Sequence, residues 1–466
     1  MLLAIICTMV ASCGKDSDDG GDDIIDDNNS HSAPKDNGNS TEPNDNGSSV
    51  DNNDTPDTPP DLSAYEIING NCFVYAGIPD KYNTGCDPNT SFATISEDGY
   101  AGELYVRVQV SDGVKEYVVQ GARIDASPDE ITVKDYDFSD GKMRTTQTDI
   151  VANVKKIRFV NCKFKGFANA KPYETNKMYF TFERCTFTGG VNEVNITLRN
   201  CKIGGFIGDA TNPLKNFYCY DTFICDLLPA ANVTGTHIDG MQTYGREGCE
   251  GGNIMFDNVR FEFPSIHYDG YDDNCNACIM FQLEYGNVSN CTFQNLYCNG
   301  GGKWYPLYVT DGKKGKTFVQ DNLTVKNVKV SDNFGTIFYA DNFDQRCKVE
   351  NVEHFSEIYV SSIFVGGDDK MHVICSNDSH IDHTLTIKTD KGEYNFAIPH
   401  CPSNWALNGV IDTKTNPDEP LKDHNGRPYT QYRYADMPFD IDCVVDMPAK
   451  YVNCLSGGKE ILKVEL

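Results

Sequence analysis

One local pattern recurs through the middle of the chain and limits its fold more than any other feature. An apolar alternation leads into a polar pair, then Cys or Val, one polar residue, and another apolar one. It stands out in Ile157-Arg158-Phe159-Val160-Asn161-Cys162-Lys163-Phe164, and returns around Cys185, Cys201, Thr222, Val259, Cys291, Val328 and Val352. Those eight positions are 23, 16, 21, 37, 32, 37 and 24 residues apart, a mean of 27 from (352 − 162)/7. Short strands at such spacing, with irregular insertions between them, predict a stacked solenoid rather than a sandwich.

Composition agrees. The 466 residues include 40 Gly, 25 Tyr and 25 Phe but 2 Trp, which suits strands joined by many turns. With 68 acidic and 40 basic side chains the net charge is −28, the wrong sign for a nucleic-acid binder. No apolar run reaches the length of a spanning helix. Residues 14–61 hold 14 Asp or Glu against Lys15 and Lys35, with no Phe, Tyr or Trp. Such a segment cannot bury enough apolar surface to order itself, and as a coil it would reach about 35–42 Å.

The beginning of the chain is a short apolar stretch followed by Val10-Ala11-Ser12-Cys13. This resembles the lipobox of bacterial lipoproteins, which implies cleavage before Cys13 and acylation of its thiol. Lys15-Asp16-Ser17-Asp18-Asp19 resembles the surface-export signal of Bacteroidetes lipoproteins. Together they imply a signal peptide over 1–12, a lipidated Cys13 opening a linker over 13–61, and a cell-surface location on the outer membrane.

The repeat resembles the right-handed parallel β-helix of the pectate-lyase-like superfamily, so the expected class is all-β. In such a fold each winding lies about 4.8 Å above the last, and inward residues stack in columns. Asn161, Asn200, Asn258, Asn290, Asn327 and Asn351 are expected as an Asn ladder at one turn. The expected organisation is an N-terminal β cap over 62–116, the helix over 117–370, and C-terminal coils, a β cap or a small sandwich over 371–466. The hairpin signal Ser111-Asp112-Gly113 belongs to the first of these. The column cysteines read as small core side chains. Cys72 and Cys86 are the pair expected to form a disulfide.

A second strand set carries the candidate chemistry: Met241-Gln242-Thr243-Tyr244, Phe281-Gln282-Leu283-Glu284, Leu307-Tyr308-Val309-Thr310, Phe338-Tyr339-Ala340-Asp341 and Ile363-Phe364-Val365. Alternation puts Gln242, Gln282, Tyr308, Tyr339 and Phe364 in one outward column, beside Tyr244, Glu284, Thr310 and Asp341. Amides, carboxylates and ring faces in rows suit an extended sugar chain. His237-Ile238-Asp239-Gly240-Met241-Gln242 resembles an HxDGxQ signature that recurs in bacterial β-helix proteins. Register would bring Asp239 beside the loop of Asp269, Asp272 and Asp273, with Lys303, Trp304 and Tyr305 entering from the next winding.

Two reactions fit those residues. A calcium-assisted polysaccharide lyase would hold Ca2+ on Asp239, Asp272, Asp273 or Glu284, and take a proton with Lys303, His237 or a Tyr. A glycoside hydrolase would need two or three carboxylates at set separation. A non-catalytic glycan-binding or adhesive lipoprotein would use the aromatic column alone, and His237 and Asp239 would then brace a turn around Gly240. The expected partner is a polysaccharide, and the expected state is a monomer.

Overall fold

The computed structural model describes residues 61–93, 103–110, 113–123, 130–145, 156–169, 177–206, 208–227, 238–263, 277–300, 306–311, 322–331, 347–379, 381–399, 440–447 and 450–466, with short strands at 267–268, 271–272 and 338–341. All belong to one compact unit that begins at Pro59. Among the described residues, apart from one 3-10 turn at Leu62–Ala64, every regular element is a strand.

Among the described residues the largest sheet system has 19 strands, and its ladders are parallel except the two made by Glu103–Val110. It is an all-β solenoid with three faces per winding. The first face includes 191–192, 211–212, Asp239–Thr243, Ala277–Leu283, Leu307–Asp311 and Phe338–Asp341. The second includes 196–199, 217–220, 254–257, 291–294, 323–326 and 347–350. The third includes 202–204, 222–225, 259–263, 296–300, 328–330 and 352–354. Inward residues of all three faces share one core, in which Phe138, Phe164 and Phe187 stack with centroids 5.1 and 5.0 Å apart.

Two bends separate the faces, and both depend on residues with left-handed backbone. At the bend after the second face, Asn161, Asn200, Asn258, Asn295, Asn327 and Asn351 have φ of 51° to 54°. Asn tolerates this conformation where most side chains would cost about 1–2 kcal/mol. Several of these amides also bond the winding below: Asn258 Nδ2 donates to Asp221 Oδ1 at 2.7 Å, and Asn327 Nδ2 donates to Asn295 Oδ1 at 3.0 Å. The next side chain turns inward and closes the corner. Cys162 Sγ donates to Val160 O at 3.3 Å, Cys185 Sγ to Glu183 O at 3.4 Å and Thr222 Oγ1 to Tyr220 O at 2.8 Å. The Asn–Cys pair is thus a bend with its own carbonyl acceptor satisfied.

Asn290 and Cys291 need correction in the ladder and the column. Leu296 pairs with Val259 and Val328, so Leu296 occupies that column and Asn295 that ladder. Asn290 belongs to a second ladder five residues earlier, at the bend after the first face. There Asn216 donates to Asn195 at 2.8 Å, Asn253 to Asn216 at 2.9 Å and Asn322 to Asn290 at 3.0 Å. The same Asn–Cys pair serves both bends, so local pattern alone could not separate them.

The hairpin Glu103–Val110 and Gly113–Arg123 pairs antiparallel with Asp137–Thr145 and ends the parallel stack on that side. At the other side the parallel windings stop at His354, earlier than residue 370. Tyr359–Val365 is antiparallel to Asn71–Ala76 and Lys370–Ser376, so Ile363 and Phe364 are not a further rung. With Glu66–Ile68 and Asp440–Asp446 these strands form a five-stranded sheet. It shares a core with a four-stranded antiparallel sheet of residues 383–465, which makes a small sandwich.

Residues 62–76 therefore sit in the C-terminal sandwich. From there the chain runs back along the second bend as a strap. Asn258 Nδ2 donates to Gly77 O at 3.0 Å, Gly85 N to Asn200 O at 2.8 Å, Asp87 N to Asn161 Oδ1 at 2.8 Å and Ala93 N to Asp135 O at 2.8 Å. This path corrects the expected disulfide. Cys72 lies in the sandwich sheet opposite Val365, Cys86 donates to Cys162 O at 3.0 Å, and both thiols are free.

Arg260 joins sandwich to solenoid. It points outward from the third face, is fully buried, and donates to Glu262 at 2.7 Å and Asp440 at 2.8 Å. Removing one member of a buried ion pair leaves the other charge stranded. Arg260→Ala should therefore lower stability by about 3–5 kcal/mol in chemical denaturation. Asn258→Ala should cost about 2–4 kcal/mol, from the bend conformation and two lost hydrogen bonds. Asn258→Gly should recover the conformational part; equal losses for Ala and Gly would refute this account of the bend.

Candidate functional site

The corner where the third face returns to the first carries a third side-chain ladder, made of aspartates. Asp209 Oδ1 accepts the Asp239 N–H at 2.9 Å, and Asp239 Oδ1 accepts the Ala277 N–H at 2.9 Å. Each carboxyl thus closes the corner of the winding above it. Asp239 Oδ2 accepts from Gln242 Nε2 at 3.1 Å, and the same amide donates to Tyr244 Oη at 2.6 Å. Asp209 Oδ2 accepts from Asn212 Nδ2 at 3.2 Å.

The two carboxyls differ in access. Asp239 is fully buried, and burial, reinforced by the neighbouring Asp209 charge, raises its pKa far above the usual carboxylate range. Asp209 is partly exposed at the edge of an open groove of about 440 Å3. Burial pushes its pKa up to about 7, against the opposing N–H of Asp239. The inner acid is thus held toward its protonated form, and the outer one is poised between its two forms near neutral pH. Gly166, Gly189, Gly190 and Gly208 help line the groove, and Lys165, Asn192, Phe206 and Asn212 reach it with Asp209. The resulting surface offers one acid-base group, one ammonium, amides and a ring.

Asp239 braces the turn through Ala277 and Gln242, while His237, its expected partner, lies outside the described residues. Gly240 is required for a different reason than unusual backbone angles. A Cβ there would lie 2.5 Å from the Phe261 ring and 2.6 Å from Cys278 O. Asp209 was missed from the sequence, although a signal existed. Asp209-Ala210-Thr211-Asn212 repeats the Asp, small residue, inward residue, amide order of Asp239-Gly240-Met241-Gln242.

The register of the outward column also differs from expectation. Asn192 pairs with Asn212, Gln242 with Met280, Met280 with Tyr308, and Tyr308 with Tyr339. Gln282 pairs with Thr310, two residues further along the same face. Sequence matching of Gln-containing tetrapeptides produced the slip, because both strands alternate with the same period. Gln242 and Met280 are 6% and 2% exposed, so this part of the column is not an open aromatic row.

The remaining candidates are dispersed. Glu284 is half-buried and donates its N–H to Tyr244 O at 2.9 Å. Asp272 lies in Tyr271–Asp272, paired with His267–Tyr268, and only its backbone is described. His237, Asp269, Asp273, Lys303, Trp304, Tyr305 and Cys13 lie outside the described residues. Among the described residues no three His, Cys, Asp or Glu side chains converge as a cation site. Both oxygens of Asp239 are engaged, by the Ala277 N–H and the Gln242 amide.

No protein-family model matches the chain, and no curated protein matches it. Among solved structures it is similar to tailspike protein 3 of bacteriophage CBA120, at 11% identity and a TM-score of 0.11. The likeness covers 53% of this chain and 61% of that one, and it is too slight to carry an argument.

The raised Asp209 pKa fixes a pH dependence. Between about pH 4 and about pH 7 the folded protein holds a proton at Asp209 that the unfolded chain releases, so stability falls as pH rises through that window. Asp209→Asn removes this contribution. Melting temperatures of wild type should therefore fall more steeply than those of the variant between pH 4.5 and 7.5, and parallel curves would rule out the shift.

Proposed function

We propose that the protein is a lipid-anchored, surface-displayed solenoid that binds and cleaves an acidic polysaccharide by β-elimination. The observation that carries this reading is Asp209, an accessible carboxyl with a pKa near neutrality, at the edge of a groove that also holds Lys165. An eliminating enzyme needs a base for the proton next to the uronate carboxylate and a positive charge to offset that carboxylate. Asp209 in its ionised form takes the proton, the C–H electron pair becomes a carbon–carbon double bond, and the leaving sugar oxygen departs with the C–O pair and is protonated by water. Lys165 supplies the positive charge that the sequence expectation assigned to calcium. Asn192 and Asn212 orient hydroxyls, and Phe206 offers an apolar surface to a sugar ring.

Two-carboxyl hydrolysis is less favoured because Asp239, the acid in register with Asp209, is fully buried and cannot reach a substrate. The anchor rests on the Val10-Ala11-Ser12-Cys13 motif. With a net charge of −28, the protein would repel a polyanion everywhere except where a cation such as Lys165 lines the path.

The test is turnover of a panel of uronate polymers, followed by ultraviolet absorbance of unsaturated products. Asp209→Asn should lower kcat by about 10²-fold or more with retention on the polymer kept, and Lys165→Ala should raise KM. Release of reducing ends without unsaturation would replace elimination by hydrolysis, and no product from any uronate would end the lyase reading.

A further inference from the structure

The opposite edge of the first face holds a second concavity. There the windings pass from the first face to the first bend through the turns at 244–250 and 284–287. These enclose an open cleft of about 470 Å3, lined by Arg246, Glu247, Glu250, Tyr285 and Asn287 among others. We infer that this cleft is a second carbohydrate-contact site, which takes the ring of a neutral or amine-bearing sugar. The inference rests on the glycan reading above and deepens it by naming a second class of sugar in the substrate.

Tyr285 carries the argument. It is 50% exposed, unusual for so large a ring, and its edge meets Tyr244 at a centroid distance of 6.3 Å and 78°. The backbone beneath it is fixed. Glu284 and Tyr285 both donate their N–H to Tyr244 O, at 2.9 and 3.0 Å. The two turns approach so closely that a Cβ on Gly245 would lie 2.1 Å from Gly286 O. A ring held in place before binding loses little freedom when a sugar stacks on it. The C–H face of a pyranose then covers apolar surface that water otherwise meets.

Charge selects the sugar. Glu247 and Glu250 are exposed in the lining, where carboxylates accept hydroxyl or ammonium hydrogens and repel a uronate. Arg246, the cation of the cleft, lies 3.5 Å from the Glu193 carboxylate, which takes up its charge. The groove at Asp209 has the opposite bias through Lys165. A polymer that satisfied both edges would therefore contain uronates together with neutral or amine-bearing sugars. Tyr244 links the edges physically, because its hydroxyl shares the Gln242 amide that also donates to Asp239.

Retention of the full-length protein on immobilised xylan, glucan, chitosan and uronate polymers tests this. Tyr285→Ala should weaken retention on the neutral or amine-bearing matrices at least 10-fold, Tyr285→Trp should keep it, and far-ultraviolet dichroism should be unchanged in both. Glu247→Lys with Glu250→Lys should move the preference toward uronates. Wild-type-like retention by Tyr285→Ala, or retention of wild type by uronates alone, would overturn the inference. Turnover of uronates without retention on neutral or amine-bearing matrices would sink this site and leave the lyase reading intact. Retention lost in Tyr285→Ala, with no unsaturated product from wild type, would support the site and end the lyase reading instead.

Discussion

A left-handed residue at each bend, with its amide bonded to the winding beneath, is the interaction on which the solenoid depends. A three-faced coil must turn its backbone sharply at every corner, where no neighbouring strand is available to satisfy the carbonyl just passed. Asn solves the conformational part, and the Cys or Thr that follows supplies a donor for the carbonyl two residues back. Because the corners repeat, the solutions stack. Where Asn succeeds Asn, as from Asn295 to Asn327 to Asn351, each amide finds its partner at the same position one level down.

The aspartate ladder follows the same logic with an added consequence. Asp209 and Asp239 accept backbone N–H groups of the winding above, which is a structural role. Burial of two adjacent carboxyls in register then forces their pKa values upward, and only one of them reaches the surface. The raised pKa of Asp209 thus arises from the brace itself. Asp239 acts on its neighbour through its N–H, which opposes the rise at Asp209.

Much of the architecture was legible because the solenoid writes each winding into a short pattern. The Asn–Cys pairs, the inward Phe residues and the capping hairpin all announce themselves locally. What was not legible is what depends on comparing windings. Gln242 faces Met280 and not Gln282, and Leu296 rather than Cys291 fills its column, because insertions of unequal length hide the true register. The pairing of residues 66–76 with the sandwich was beyond reach for a related reason. Its partners lie some 290 positions away, and an antiparallel strand carries no mark of which distant edge it will meet. Asp209 was overlooked since its tetrapeptide resembles that of Asp239 in size and polarity but not in letters.

The strap has a consequence for how the molecule is made. The segment that leaves the ribosome early, residues 66–93, must lie across windings synthesised much later, and Asp80 is held by the hydroxyls of Ser361 and Ser362 at 2.7 Å each. Early coils can stack on one another, yet the seam along their corners stays uncovered until the region near residue 360 exists. Covering that seam therefore depends on contacts of very large sequence separation, which tie the first described segment to one of the last.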